Sequence, residues 1–449
     1  MRDILLSVVL FGSLPVILVN PPFGIVMWDW VSLMNPHRLT WGFAYNLPVA
    51  MMVGGATLIA WFFSKETKRV PLNAITVLMF LLITWTGITT IFAINEVDSI
   101  DSLIKFSKII LMVFVTISIM NDAKRVNWLV WAIVCSIGYF GIKGGLFTIV
   151  SGGHFRVWGP TGSFIADNNA LALAILMVIP LMIYLAKSTQ HKWIRIGMYV
   201  AVLLSMLSVI GSWSRGGLLG LIVLAILLWW RARHRMIIGI MAGFVLVFSV
   251  SFIPPQWFER MNTIENYEKD ASATGRLDIW GFALRVANAR PIVGGGFEVF
   301  VDPVAHDKWG EGIVVRNVHS IYFQMLGSHG YPGLIIFLAL GYFTLRACRR
   351  IRKAAATRPE FEHHGLLASY VSCGLLSFAV SGAFQNLATF DLYYTMIAIA
   401  AILQKLVLDS KVGALSPATV GHSVNTLAQN EADNFAGAGK VRTFVRQHQ

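Results

Sequence analysis

The sequence predicts an all-α polytopic membrane protein, a single bundle interrupted by one long extracytoplasmic loop. Three observations predict it. Apolar residues make up 56% of the chain and charged residues only 13%, with a mean hydropathy of +0.65. The apolar residues gather in runs of bilayer-spanning length, since roughly 20 residues of helix cross a hydrocarbon core. The polar residues gather in one long interruption, Pro255 to Val318. A membrane barrel would show alternating segments of about ten residues, and none is visible.

In chain order the apolar runs cover 4–19, 41–62, 71–93, 102–120, 127–150, 169–186, 196–212, 217–230, 236–253, 319–346, 366–385 and 392–408. These correspond to about twelve transmembrane helices. Four regions follow: an N-terminal helix block (1–254), a loop with amphipathic helices (255–318), C-terminal helices (319–409) and a tail (410–449). The tail is rich in Ala, Gly, Asn, Ser and Thr without an apolar period, a composition that predicts disorder.

Basic residues set the orientation, because lysine and arginine in short loops stay cytoplasmic. Clusters at Lys65/Lys68/Arg69, Lys124/Arg125, Lys187/Lys192/Arg195, Arg231/Arg233/Arg235 and Arg346 to Lys353 fall on alternate sides of the spans. The opposite loops are acidic (Glu96, Asp98, Asp101) or Gly-rich with a lone Arg156, and the long loop carries more acidic than basic residues. The long loop therefore faces outward. The formal net charge of +13 is then a cytoplasmic-face feature that attracts anionic lipid, and nucleic-acid binding is not its explanation.

Near the N-terminus, Pro21-Pro22-Phe23-Gly24 leads into a short apolar segment, 25–34. It is read as a re-entrant or interfacial hairpin held by Trp28, Trp30 and Trp41, which leaves both termini cytoplasmic. The first apolar run is a retained anchor, because Asp3 breaks the positive region and no small-x-small cleavage site follows. Cys135, Cys348 and Cys373 show no disulfide or zinc spacing. With no cysteine of its own, the outward loop must hold its shape by packing on helix ends or by contacts with substrate.

Chemistry is to be sought where charge survives at the outward surface. Ser214-Arg215-Gly216-Gly217 breaks an apolar stretch at the side opposite to the basic clusters. Its plain reading is an arginine snorkelling to headgroups. Its functional reading is an anion clamp, in which glycines permit close approach, a helix N-terminus presents amides and a guanidinium grips phosphate with two hydrogen bonds. Gly275-Arg276-Leu277-Asp278-Ile279-Trp280 opens an amphipathic stretch. Arg276 alone would be a solvated helix face, and the other basic groups near it raise its weight. Gly294-Gly295-Gly296 lacks the lysine and strand context of a phosphate loop and is read as a turn or close-packing element.

His319 opens the next apolar run in Asn317-Val318-His319-Ser320. A lone histidine there is ordinarily a capping or packing residue. Beside two arginines, however, its charged form is disfavoured, and a neutral imidazole can act as a general base. His329 follows about three turns later, where Gly327 to Gly333 breaks the helix. No His-x-x-x-His or carboxylate companion marks a metal site, and neither metal nor cofactor is expected. Glu96, Asp98 and Asp101 are read as a solvated acidic loop.

Together, the outward Ser214-Arg215-Gly216, the Gly275-Arg276 followed by Trp280 and by Arg290-Pro291-Ile292-Val293-Gly294-Gly295-Gly296-Phe297, and Asn317-Val318-His319-Ser320 before Gly330-Tyr331-Pro332-Gly333 resemble the O-antigen ligase and polymerase superfamily, over roughly 201–340. Met1-Arg2-Asp3-Ile4 and the stretch from Trp30 to Arg38 resemble its exosortase-associated O-glycosylation ligase branch. Two positions depart from the pattern. Ser320 stands where many relatives have asparagine, and His329 where glutamate is frequent.

The resemblance implies a GT-C-like fold and an inner-membrane enzyme with a periplasmic active site. It would join a glycan from undecaprenyl diphosphate to an acceptor, without metal and with inversion. Arg215 and Arg276 would bind the donor diphosphate and stabilise its charge, and His319 would take or orient the acceptor proton. Trp280, Tyr322 and His329 are the expected sugar or acceptor contacts, with Trp257 and Trp309 as further stacking rings. A lipid A-core acceptor, hence a ligase, is preferred. A polymerase or a protein O-oligosaccharyltransferase would use the same donor. A lipid-linked glycan transporter is the other class; it would need charges deep in the bundle, for which Lys105, Lys108 and Lys143 are the candidates.

Overall fold

The computed structural model describes residues 1–66, 68–231 and 271–408. Among them, all regular structure is helical: α1 (Arg2–Val19), α2 (Pro21–Met34), α3 (Val49–Phe63), α4 (Ala74–Ile91), α5 (Glu96–Ile119), α6 (Ala123–Val150), α7 (Asn168–Ser188), α8 (Lys192–Gly211), α9 (Arg215–Arg231), α10 (Ala271–Ala289), α11 (Pro303–Trp309), α12 (Ile321–Ala355), α13 (Glu362–Ser381) and α14 (Asp391–Leu408). Among the described residues nine helices are long and apolar enough to cross a membrane, and the protein is a multi-pass membrane protein. The expected span 236–253, Trp257, the first part of the long loop and the tail 410–449 lie outside the described residues.

Short polar residues decide where the apolar helices begin. The side chains of Asn73, Asn95, Asp122 and Asp167 each accept a hydrogen bond from an amide in the first turn of α4, α5, α6 and α7, which supplies a partner to otherwise orphaned donors. Asn73 and Thr76 close a reciprocal capping box. The run expected at 41–62 is shorter than that. Residues Pro36–Leu39 and Phe43–Asn46 are 3-10 turns, and Pro48, at the N-cap, marks the start of the helix at Val49.

The helices α7 and α14 are apolar nearly all round and buried on almost every side, as expected for the centre of a bundle. Around α7 pack α6, α8, α9 and α13. At one end Arg125 bridges Glu66 through both terminal nitrogens at 2.8 Å, tying together two of the basic loops.

The segment 21–34 is a helix that turns back along the chain. Asn20 leaves helical geometry (φ −130°, ψ 84°) and two prolines open α2, so the chain reverses there and α2 runs back beside α1 and against α3 and α6. The Asp3 carboxylate accepts from the amides of Gly42 and Ala44 at 3.0 and 3.1 Å. Met1 therefore lies at the same end of the bundle as residues 36–46.

The polar segment is held by its own core and by the helix ends. On α10, Ile279, Phe282, Ala283 and Val286 form an apolar stripe that packs with Val299, Phe300, Ala305 and Val318. The glycine run docks on a break in α12. Gly330 sits at φ 68°, ψ −173°, a conformation open to glycine, and a Cβ there would lie 2.3 Å from the Ile292 carbonyl oxygen. The carbonyls freed by the break, Gly327 and Ser328, accept from the amides of Gly295 and Gly296 at 2.8 and 2.9 Å. The triple glycine is thus a close-packing element.

Candidate functional site

The α8–α9 turn shows how Arg215 is placed. Trp213 adopts φ 58°, and its indole donates to the Gly153 carbonyl at 3.2 Å. Ser214 caps α9 by accepting from the Gly217 amide at 3.0 Å, while Asn168 at the start of α7 donates to the Ser212 carbonyl at 2.7 Å. Arg215 is the first residue of α9 and is half-buried. The next residue, Gly216, rests against Phe384.

Arg276 and Trp280 are one turn apart on α10. The Trp280 indole donates to the Val318 carbonyl at 2.9 Å, and its ring stacks on Phe323 with centroids 5.0 Å apart. Val318 is fully buried, so the backbone just before His319 is pinned. His319 itself has φ 46°, in the left-handed region that costs a non-glycine residue of order 1–3 kcal/mol. Ser320 returns to extended backbone before α12 begins.

His319 forms part of the wall of a polar cavity of about 300 Å³, together with Lys105, Asp167, Glu298, Gln324 and Asn386 among others. Burial is the main reason that the imidazole pKa falls below its usual value. The Arg276 charge lowers it further, Asp167 opposes, and Arg316 adds to the lowering. The neutral histidine expected from its arginine neighbours is therefore reached chiefly by desolvation. Arg316 is a third cation that motif reading passed over, although it lies three residues before His319. Its guanidinium occupies the space where a Gly275 side chain would be, with Nη1 1.9 Å from the position of a Cβ, which is why glycine precedes Arg276.

Sequence reasoning also missed Asp167 and the loop Gln385 to Thr389 on the cavity wall. Asp391, buried at the start of α14, accepts from Ser32 of α2.

Two of the expected acceptor contacts take other positions. His329 is 1% exposed; its Nδ1 is 2.8 Å from the Thr89 hydroxyl and its ring meets Phe297 edge-on at 4.5 Å. It does not line the cavity. Tyr322 donates its hydroxyl to the Ala379 carbonyl at 2.6 Å and faces an apolar groove of about 250 Å³. Trp309 packs against the core of the polar segment. Among the described residues no three His, Cys, Asp or Glu side chains converge in a way that could hold a metal ion.

A second cleft, lined by residues 35–38 and 162–164, shares Lys105, Ile109 and Phe164 with the His319 cavity. Since Arg2 and Asp3 hold residues 39–44, the N-terminus lies at the cavity end of the bundle. The reversal at Asn20 makes α1 and α2 a pair, which returns the chain to the end where it began.

The fold and this cavity define a multi-pass helical membrane protein with a half-buried histidine near Arg276 and Arg316 at one end of its bundle. Residues 200–338 match the family model described as O-antigen ligase, so this part of the chain is similar to the O-antigen ligase superfamily. Residues 1–190 match a family of unknown function. A search of curated proteins finds no match.

Proposed function

We propose that this protein is an O-antigen ligase with a GT-C-like fold, transferring a glycan from undecaprenyl diphosphate to a lipid A-core acceptor sugar at the periplasmic face of the inner membrane. The match of residues 200–338 to the O-antigen ligase model supports glycosyl transfer in general. The observation that carries the finer reading is His319, held in left-handed backbone on a cavity wall and kept uncharged by burial and by Arg276.

In the proposed reaction the acceptor hydroxyl gives its proton to the imidazole as its oxygen attacks the anomeric carbon. The bond from that carbon to the diphosphate oxygen breaks, with inversion, and the lipid diphosphate leaves as an anion. Arg215 and Arg276 stabilise that charge, and Arg316 adds to the positive field. Holding donor and acceptor side by side contributes by proximity. The apolar groove that begins at Ile321, two residues after His319, suits a polyprenyl chain reaching the site from the bilayer.

The test is the surface glycolipid profile of a strain lacking the protein, complemented with wild type or His319→Ala. Bare core with polymer retained on its lipid carrier, restored only by wild type, supports the ligase. Core bearing a single repeat unit would make the protein a polymerase, and full restoration by His319→Ala would remove the histidine from the mechanism.

A further inference from the structure

The larger cleft at this end of the bundle is not used by the reaction as proposed. It has a volume of about 630 Å³. Its wall includes His37 and Arg38 from the turn after α2, Lys105 and Lys108 on α5, and Asp391. Arg38, Lys105 and Lys108 thus share a wall with one carboxyl group, that of Asp391. Among the described residues the ion pairs are those of Arg125 with Glu66 and Asp122, so neither lysine is neutralised by a carboxylate there.

Depth makes these charges informative. At about 1.5 Å per residue, Lys105 and Lys108 lie about 14 and 18 Å along α5 from Glu96. Charged side chains that far into an apolar helix face a polar cavity and commonly mark a substrate path. Arg38 is built in as well. Its guanidinium lies over the Tyr45 ring, 4.6 Å from the centroid, and rests against Gly162. Its Nε is buried without a hydrogen-bond partner. Trp28 on the same wall offers an aromatic face of the kind that packs on sugar rings.

The position relative to His319 selects the ligand. The two cavities share Lys105, Ile109 and Phe164 in their walls, so a molecule in the cleft lies next to the cavity that His319 lines. The donor diphosphate already has Arg215 and Arg276, both within 200–338, whereas the cations of the cleft come from the region of unknown function, 1–190.

We propose that this cleft is the acceptor subsite and that it selects an anionic saccharide, one carrying a carboxylate or phosphate near the hydroxyl that is glycosylated. The inference rests on the glycosyl-transfer reading and assigns to the N-terminal region the recognition of the acceptor.

Direct binding tests it without requiring turnover. The full chain in nanodiscs is titrated with trigalacturonate, glucose 6-phosphate and neutral maltotriose. At least one charged sugar should bind at least tenfold more tightly than maltotriose, and which one binds identifies the anion. Arg38→Gln and Lys108→Gln should each weaken that binding about tenfold, Lys108→Arg should retain it, and Arg276→Gln should leave it within twofold. Equal binding of charged and neutral sugars would overturn the proposal. So would binding that is insensitive to Arg38 and Lys108 but lost with Arg276, which would return the anion to the donor site. The lysine-to-arginine variant guards against loss of fold. If the transfer reading alone is wrong, the glycolipid profile with His319→Ala fails while charged-sugar binding persists.

Discussion

Replacing Trp280 with phenylalanine separates two roles for this residue. The change keeps an aromatic ring against Phe323 but deletes the indole N–H that donates to the Val318 carbonyl at 2.9 Å. A buried carbonyl left without its partner costs about 1–3 kcal/mol. The adjoining His319 is held at φ 46°, against a strain of similar size, about 1–3 kcal/mol. Without its restraint the backbone at 319 can relax to negative φ and turn the imidazole away from the cavity. If that strain drives the relaxation, the competent conformer falls by about fivefold to a hundredfold, at about 1.4 kcal/mol per factor of ten. Single-turnover transfer with a purified lipid-linked donor should slow by that amount, with the donor KM unchanged. A Trp280→Phe enzyme with wild-type turnover, and a raised acceptor KM only in Trp280→Ala, would refute the restraint and make the ring a sugar platform instead.

Three further outcomes are expected. Because burial and Arg276 hold the His319 pKa below 6.5, transfer should persist below pH 6.5 and fail only as the imidazole gains its proton. Arg276→Gln removes a cation, raises that pKa and should move the acid limb of kcat/KM upward; an unmoved limb would uncouple the two residues. Gly330→Ala places a Cβ 2.3 Å from the Ile292 carbonyl oxygen at φ 68°, and the thermal midpoint in detergent should fall by the equivalent of at least ~1–3 kcal/mol, whereas an unchanged midpoint would show that the docking of 291–296 can shift. Thr89→Val breaks the contact with His329 at 2.8 Å and should cost about 0.6–2 kcal/mol in stability with transfer retained; loss of transfer at full stability would give His329 a part in the chemistry.

The composition of the chain determined its class. So few charges over so many long apolar runs leave only helices that satisfy their own backbone in lipid, and short Asx caps set where α4 to α7 begin. Single motifs were legible for a related reason: a charge at the membrane surface is costly enough to stand out, so Arg215, Arg276 and His319 could be picked by eye. Tertiary structure decided what sequence order cannot carry. The reversal at Asn20 brings α1 and α2 side by side and sets the N-terminus at the cavity end. Asp167 and Asn386 reach the wall around His319 from distant helix ends, and such convergence leaves no local pattern. His329 has the residue type of a catalyst, but its partners Thr89 and Phe297 belong to other segments, and only packing shows it buried. The strain at His319 is likewise invisible in the string of residues, because a left-handed φ is imposed by what holds Val318 on one side and α12 on the other.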